Sequence, residues 1–335
     1  MKKGRVQSGI PIEIPLLKFH LTLKPISIIE NQSFEKLNLD PNTEAKMDKL
    51  IITVALIGGI TTREKTSFPP MTPKEIADSA IESYHAGASV CHVHVRDPIT
   101  HQPSMRFELY KEVYDRIREK CDMIINLSTG SGGRLLYNPK AANAWDTSEL
   151  KSPEERVEHV VKLKPELCSL DVGSLNFGPR AFINLTSVVE KMAKMIKEAG
   201  TKPELEVFDI GHIRIAKHLI RQGLVEDPPL FQLCLGIPWG IEATTENMVY
   251  MRNNLPPGAL WYAFGIGAQH FSMAATSMIN GGHARVGFED NLYIKKNVLA
   301  TTNAEMVKKV VEIANLMDRE VATPKEARQI LKLKS

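Results

Sequence analysis

Apolar and polar positions follow two periods along most of the chain. From Leu50 onward, short runs rich in β-branched residues are separated by longer stretches in which apolar residues recur every three or four positions. The alternation repeats eight times. The predicted strands are LIITVAL (50 to 56), SVCHVHV (89 to 95), MIINLST (123 to 129), LCSLDVG (167 to 173), ELEVF (204 to 208), LFQLCLG (230 to 236), WYAFGIG (261 to 267) and ARVGFE (284 to 289). The intervening stretches carry helix signals. In TPKEIADSAIESYHAG, Thr72 stands at the N-cap, Pro73 at the first helical position and Gly87 at the close. Eight strands, each followed by a helix, predict an α/β protein of the (β/α)8 TIM-barrel class. A doubly wound sheet would need a glycine-rich phosphate turn after its first strand, and no GxGxxG follows here.

Residues 1–48 stand outside this rhythm and are expected to be an accessory or artefactual N-terminal extension, with the catalytic barrel at 49–335. Within them, IPIEIPLLKFHLTL reads as an added strand or a segment packed on the barrel floor, and Met47 is an alternative start.

Composition narrows the class of partner. Of 335 residues, 43% are hydrophobic and 24% charged, the mix of a globular protein with a large core. The 42 basic residues nearly balance 39 acidic ones, leaving a net charge of +3, so no strong field favours nucleic acid or an acidic membrane surface. A small-molecule partner is expected. Cys91, Cys121, Cys168 and Cys234 form no CxxC pair and sit in or beside apolar runs, as buried thiols do in a reducing cytoplasm. No apolar stretch reaches the length of a membrane span.

Candidate chemistry concentrates where the strands end. His92 and His94 in HVHVRD lie two apart on a strand, so both imidazoles face inward while Cys91, Val93 and Val95 face the helices. Two converging imidazoles are metal-site geometry; a hydrogen-bonded core pair is the competing reading. Barrel closure puts strands 2 and 8 on either side of strand 1, which brings Glu289 within reach of the same ion, although taken alone it reads as a rim carboxylate. Two imidazoles and a carboxylate with an open position suit catalytic zinc, and iron(II) or manganese accepts similar ligands.

Four segments in order, HVHVRD, NLSTGSGG, SLDVGSLNFG and GGHARVGFEDN, resemble the β-keto acid cleavage enzymes, and the resemblance runs from Leu50 through the closing ATPKEARQIL. It implies a (β/α)8 fold, a zinc ion, a cytoplasmic homo-oligomer (a tetramer in the family), and exchange between a β-keto acid and acetyl-CoA that yields acetoacetate and a new acyl-CoA. The family's zinc ligands fall on His92, His94 and Glu289. Its polar residues after strands 3 and 4 fall on Ser128 and Ser169, with Thr129 and Gly130 beside the former as substrate contacts. The family's base falls on Asp290 and its partner on Arg285. On an ideal strand those two would stand roughly 16 Å apart, so the chain must bend, and Gly287 is the expected place. Ile60 replaces a glutamate that faces an amino group in the family's characterised founder, while Asp209 and Trp239 are further pocket positions suited to a quaternary ammonium or, for Trp239, to an apolar tail. Competing readings are a metal-dependent aldolase or amidohydrolase-like hydrolase, and an inactive ligand-binding barrel.

Overall fold

The structure, a computed structural model, describes residues 48–334; the expected extension at 1–48 thus lies almost wholly outside the described residues. Eight parallel strands close into a barrel: β1 (Ile52–Ala55), β2 (Val90–Val93), β3 (Ile124–Leu127), β4 (Leu167–Asp171), β5 (Lys202–Val207), β6 (Leu230–Leu235), β7 (Leu260–Gly265) and β8 (His283–Val286). Each prediction from periodicity lands on one of these strands. Closure pairs β1 with both β8 (Thr53 beside Arg285) and β2 (Ala55 beside His92).

Helices α1 (Pro73–His85), α2 (Phe107–Lys120), α3 (Pro153–Leu163), α4 (Thr186–Ala199), α5 (Ile210–Arg221), α6 (Thr245–Asn253), α7 (His270–Ile279) and α8 (Asn303–Leu316) alternate with the strands. Their starts follow from local chemistry. Thr72 accepts the Glu75 N–H while Glu75 reaches back to the Thr72 N–H, a capping box with Pro73 just inside. Ser152 and Glu155 repeat the arrangement at α3. A ninth helix, α9 (Pro324–Ile330), lies at the barrel floor, where Ala327 and Leu331 pack with Ile51, Val90, Ile124 and Leu167 at the lower ends of the strands.

The outward strand residues, Cys91, Val93, Ile125 and Leu170 among them, form the main core with the helices. Above the apolar layer at the floor the inward set is polar, with Thr53, His92, Asn126, Ser169, Glu204, Gln232 and Arg285 all buried. That division fixes the upper end of the barrel as the place where the chain gathers charged groups. All four cysteines are free, and no helix among the described residues is long and apolar enough to cross a membrane.

Candidate active site

A cavity of about 1120 Å³ opens at the carboxyl ends of the strands. His94, Ser128, Asp171, Glu206, Glu289 and Asp290 contribute to its wall, so it draws on β2, β3, β4, β5 and the turn after β8. At its base His92 Nε2 stands 3.6 Å from Glu289 Oε2, and His94 Nε2 stands 3.5 Å from Glu289 Oε1. The ligand atoms of the three residues lie within 4.8 Å of one another. Burial lowers His92 to about 3, which keeps its imidazole neutral, the form that binds a metal. Glu289 Oε2 is buried with no hydrogen-bond partner among the described residues, an orphaned anionic oxygen of the kind a cation satisfies. The donor set therefore fits a divalent ion.

Arg285 and Asp290 meet although they are five positions apart along the chain. Strand β8 ends at Val286, and Gly287, at φ +148°, turns the chain so that it folds back over β1. A side chain there would run into the Ala55 backbone, so only glycine allows the approach. Neighbours pin the turn. The Gly287 N–H donates to His270 Nε2 at 3.2 Å, the Phe288 N–H to Asn303 Oδ1 at 2.8 Å and the Glu289 N–H to the Ala55 carbonyl at 3.2 Å. Arg285 then donates through Nε and Nη2 to both oxygens of Asp290 at 2.9 and 3.0 Å, and pairs with Glu289 at 2.9 Å and Glu206 at 3.3 Å. Its guanidinium rests on the Phe264 ring, 4.3 Å from the centroid. Burial, together with the charge of Glu289 and against the pull of Arg285, raises Asp290 to about 6. Arg285 and the two histidines hold Glu289 low despite its burial.

The beta-keto acid cleavage enzyme profile matches residues 49–333, taking in the whole barrel and every group just described.

The chain belongs to the beta-keto acid cleavage enzyme family.

Among relatives, it is 43% identical over 291 residues to 3-dehydrocarnitine:acetyl-CoA trimethylamine transferase of Rhizobium meliloti (strain 1021), covering 85% of this chain and 97% of that one. It is 41% identical over 290 residues to 3-keto-5-aminohexanoate cleavage enzyme of Fusobacterium nucleatum subsp. nucleatum, covering 86% and 99%. The solved apo structure of ObcA shares the fold, with a TM-score of 0.67 at 19% identity over 80% of this chain and 66% of that longer one.

Within this member of the beta-keto acid cleavage enzyme family, the loop after β3 is rigidly held. The Ser128 carbonyl accepts from Tyr110 Oη at 3.3 Å and His159 Nε2 at 2.9 Å, and these two rings stack at 3.9 Å. Burial lowers His159 to about 4, so the ring is neutral and donates through Nε2. Ser128 thereby faces the cavity, and its Oγ accepts from the Gly130 N–H at 3.2 Å. Thr129 is turned away: its hydroxyl donates to the Ser169 carbonyl at 2.7 Å, and Arg156 donates twice to its own carbonyl. Ser169 is fully buried inside the barrel below the cavity wall, with its Oγ unpartnered. Ile60 lines the cavity, 53% exposed. Asp209 stands exposed at the N-cap position of α5 without a side-chain capping bond, and Trp239 is 75% exposed; neither lines the cavity.

Two acids missed by the sequence reading complete the floor. Asp171 and Glu206 share a side-chain hydrogen bond, and burial plus their mutual charge pushes Glu206 well above the carboxylate range. Burial likewise raises Asp171. Their signal was present in the strand alternation. Asp171 follows Ser169 by two and shares its face, and KPELEV places Lys202, Glu204 and Glu206 on one inward side.

Proposed function

We propose that this chain is a metal-dependent β-keto acid:acetyl-CoA acyltransferase, with zinc as the metal, converting a β-keto acid and acetyl-CoA to acetoacetate and a new acyl-CoA. The observation that carries the reading is one juxtaposition. His94 and Glu289 of the three-residue donor set and a carboxylate gripped by arginine, Asp290, line a single cavity, with His92 buried beside them. The relatives' names point the same way, since both the Rhizobium and a 3-oxoadipate:acetyl-CoA acetyltransferase of Cupriavidus necator are named for acetyl-CoA transfers.

His92, His94 and Glu289 would hold the ion beside the cavity. When bound, a divalent ion supplies Lewis acidity to the keto and carboxylate oxygens of a β-keto acid. Asp290 acts as the base that takes a proton from the carbon between those two groups. Arg285 orients it and holds it ionised against burial. The resulting enolate carbon attacks the acetyl-CoA carbonyl. The acetyl C–S bond of that adduct then breaks, and the freed CoA thiolate adds to the keto carbon of the original acid. Cleavage of the bond between the two carbons gives the new acyl-CoA and the acetoacetate enolate, which takes the proton back from Asp290. Ser128 Oγ and the Gly130 N–H sit where they can position a carboxylate or steady an oxyanion. Ser169 and Thr129 act from beneath, by fixing that loop.

Ile60 offers no charge to an ammonium-bearing substrate, and Asp209 and Trp239 stand beside cavity-lining Phe208 and Pro238 without lining the cavity themselves, which favours an uncharged or anionic tail. A cytoplasmic homo-oligomer is the corresponding cellular form. Metal analysis combined with a CoA-product assay tests the reading. It requires about one zinc per chain and formation of a new acyl-CoA that stops on chelation. A hydrolase or aldolase would turn over substrate without acetyl-CoA, and an inactive barrel would do neither.

A further inference from the structure

Two strands outside the barrel, paired with each other, build part of the cavity rim. Arg134–Tyr137, in the loop after β3, pairs antiparallel with Arg180–Phe182, in the loop after β4, with Arg134 opposite Phe182 and Arg180 opposite Leu136. Arg134 and Arg180 are therefore diagonal neighbours on one face of this small sheet, and both line the cavity. Their charge is poorly balanced. Among the described residues Arg134 pairs with Glu149 at 3.2 Å, an ion pair whose carboxylate side chain is half exposed, while Arg180 has no ion-pair partner and its Nε is buried without a hydrogen bond. A third guanidinium, Arg96, lies close behind. It is buried, is spent on the His101 and Gly58 carbonyls, and carries its own unpartnered Nε. Burial and the charge of Arg134 lower both Arg96 and Arg180. Three cations gather here with, among the described residues, a single ion pair, to the half-exposed Glu149, and the longer-range pull of Glu289 on Arg96, a setting that an anion would stabilise.

We propose that Arg134 and Arg180 form an anion subsite for the substrate's tail, so that the preferred substrate is a β-keto acid ending in a second carboxylate.

The assignment rests on the β-keto acid reading above, and distance selects the tail over the phosphates of CoA. A Cβ on Gly58 would stand 2.6 Å from Glu289 Cγ, and one on Gly59 would overlap the Arg134 Nη2. Adjacent Cα atoms are about 3.8 Å apart, so this guanidinium lies within roughly 12 Å of the Glu289 carboxylate. A short diacid held at the metal site by its β-keto end would span that gap. The long pantetheine arm of CoA would carry its phosphates beyond it, and Lys65, Lys295 and Lys296, in the segments after β1 and β8, also line the rim. Phe177, Phe182 and Ile60 line the cavity as well, giving the methylenes of such a tail apolar contacts.

The test compares a six-carbon β-keto acid bearing a terminal carboxylate with its methyl-terminated counterpart, in wild type and in Arg134→Met, Arg180→Met and Arg180→Lys, each checked for cooperative melting. We expect wild type to prefer the diacid in kcat/KM. Either methionine variant should lower the diacid-to-monoacid ratio about ten- to a hundredfold, the scale of losing one charge-assisted contact, and Arg180→Lys should retain part of it. A wild-type preference for the monoacid, or a ratio unchanged in the variants, would overturn the assignment. A raised KM for acetyl-CoA with the ratio intact would also overturn it and give the arginines to the CoA phosphates. Calorimetric titration of both acids without acetyl-CoA reads the subsite separately. Tighter diacid binding lost in Arg180→Met supports it even if no acyl-CoA forms, an outcome that would sink the transferase reading alone, whereas equal binding of both acids by wild type refutes it.

Discussion

Arg285 holds Asp290 by two parallel hydrogen bonds, at 2.9 and 3.0 Å, across a turn that only a glycine permits. The pair is buried, and its geometry separates the base from the metal ligand next to it. Glu289 faces the two histidines as well as Arg285, while Asp290 is held by the arginine fork alone.

That separation predicts how Asp290→Asn behaves. The amide keeps the shape and removes the base, so bound metal should stay at the wild-type level while turnover falls on the order of 100-fold or more. Metal content and steady-state rates on the same preparation check this. Loss of metal in the variant would reassign Asp290 as a ligand.

For the ligands themselves the expectation is the reverse. His92→Ala or His94→Ala leaves only one imidazole and a carboxylate, and should remove both metal and activity. Elemental analysis after dialysis reads the first and a CoA-product assay the second. Full activity in metal-free protein would refute the role given to these residues.

Much of this was legible in the sequence because it depends on local periodicity. The eight strands followed from alternating runs, and strand parity alone turned His92 and His94 inward. Glu289 was reachable by counting strands around a closed barrel. Asp171 and Glu206 were less visible, since charged residues inside strands buried on both sides run against the usual pattern, and only their spacing marked them. Loop direction was not legible. Asp209 and Trp239 follow β5 and β6 beside cavity-lining Phe208 and Pro238, but nothing local says that these two side chains themselves are exposed. Arg134 and Arg180 meet only because two short strands from separate loops pair, a nonlocal contact without a sequence signature.

The bend at Gly287 should be the least tolerant point of the site. In Gly287→Ala the new methyl meets the Ala55 backbone at a φ that L residues rarely adopt, so the turn must shift. A loss of about 2 kcal/mol or more in unfolding free energy is expected, with a larger proportional loss in turnover as Arg285 and Asp290 separate. Denaturant melts and rates test the two parts. Wild-type values for both would show that the turn is not strained by a side chain.

Acid should weaken the fold through His283. Its ring is buried, its Nδ1 accepts the Ile51 N–H at 3.1 Å, and burial lowers it to about 3. The folded pKa is below the unfolded one, so the unfolded chain binds the proton first. Stability from this group is complete above about pH 6.5, the ordinary histidine value, and is lost progressively as pH falls toward 3. Urea melts at pH 7.5, 6 and 5 should show a falling midpoint, with a shallower fall in His283→Gln. Identical slopes in wild type and variant would remove His283 from the explanation.

The central claim is the exchange of an acetyl group, and carbon labelling reads it directly. The protein is incubated with a β-keto acid and acetyl-CoA carrying carbon-13 at the acetyl carbonyl, and both products are identified by mass. The account predicts acetoacetate labelled at its keto carbon and an unlabelled acyl-CoA built from the substrate's tail, both absent after chelation and restored by zinc. Label retained in acetyl-CoA while the β-keto acid is consumed, or label appearing in the new acyl group, would contradict it.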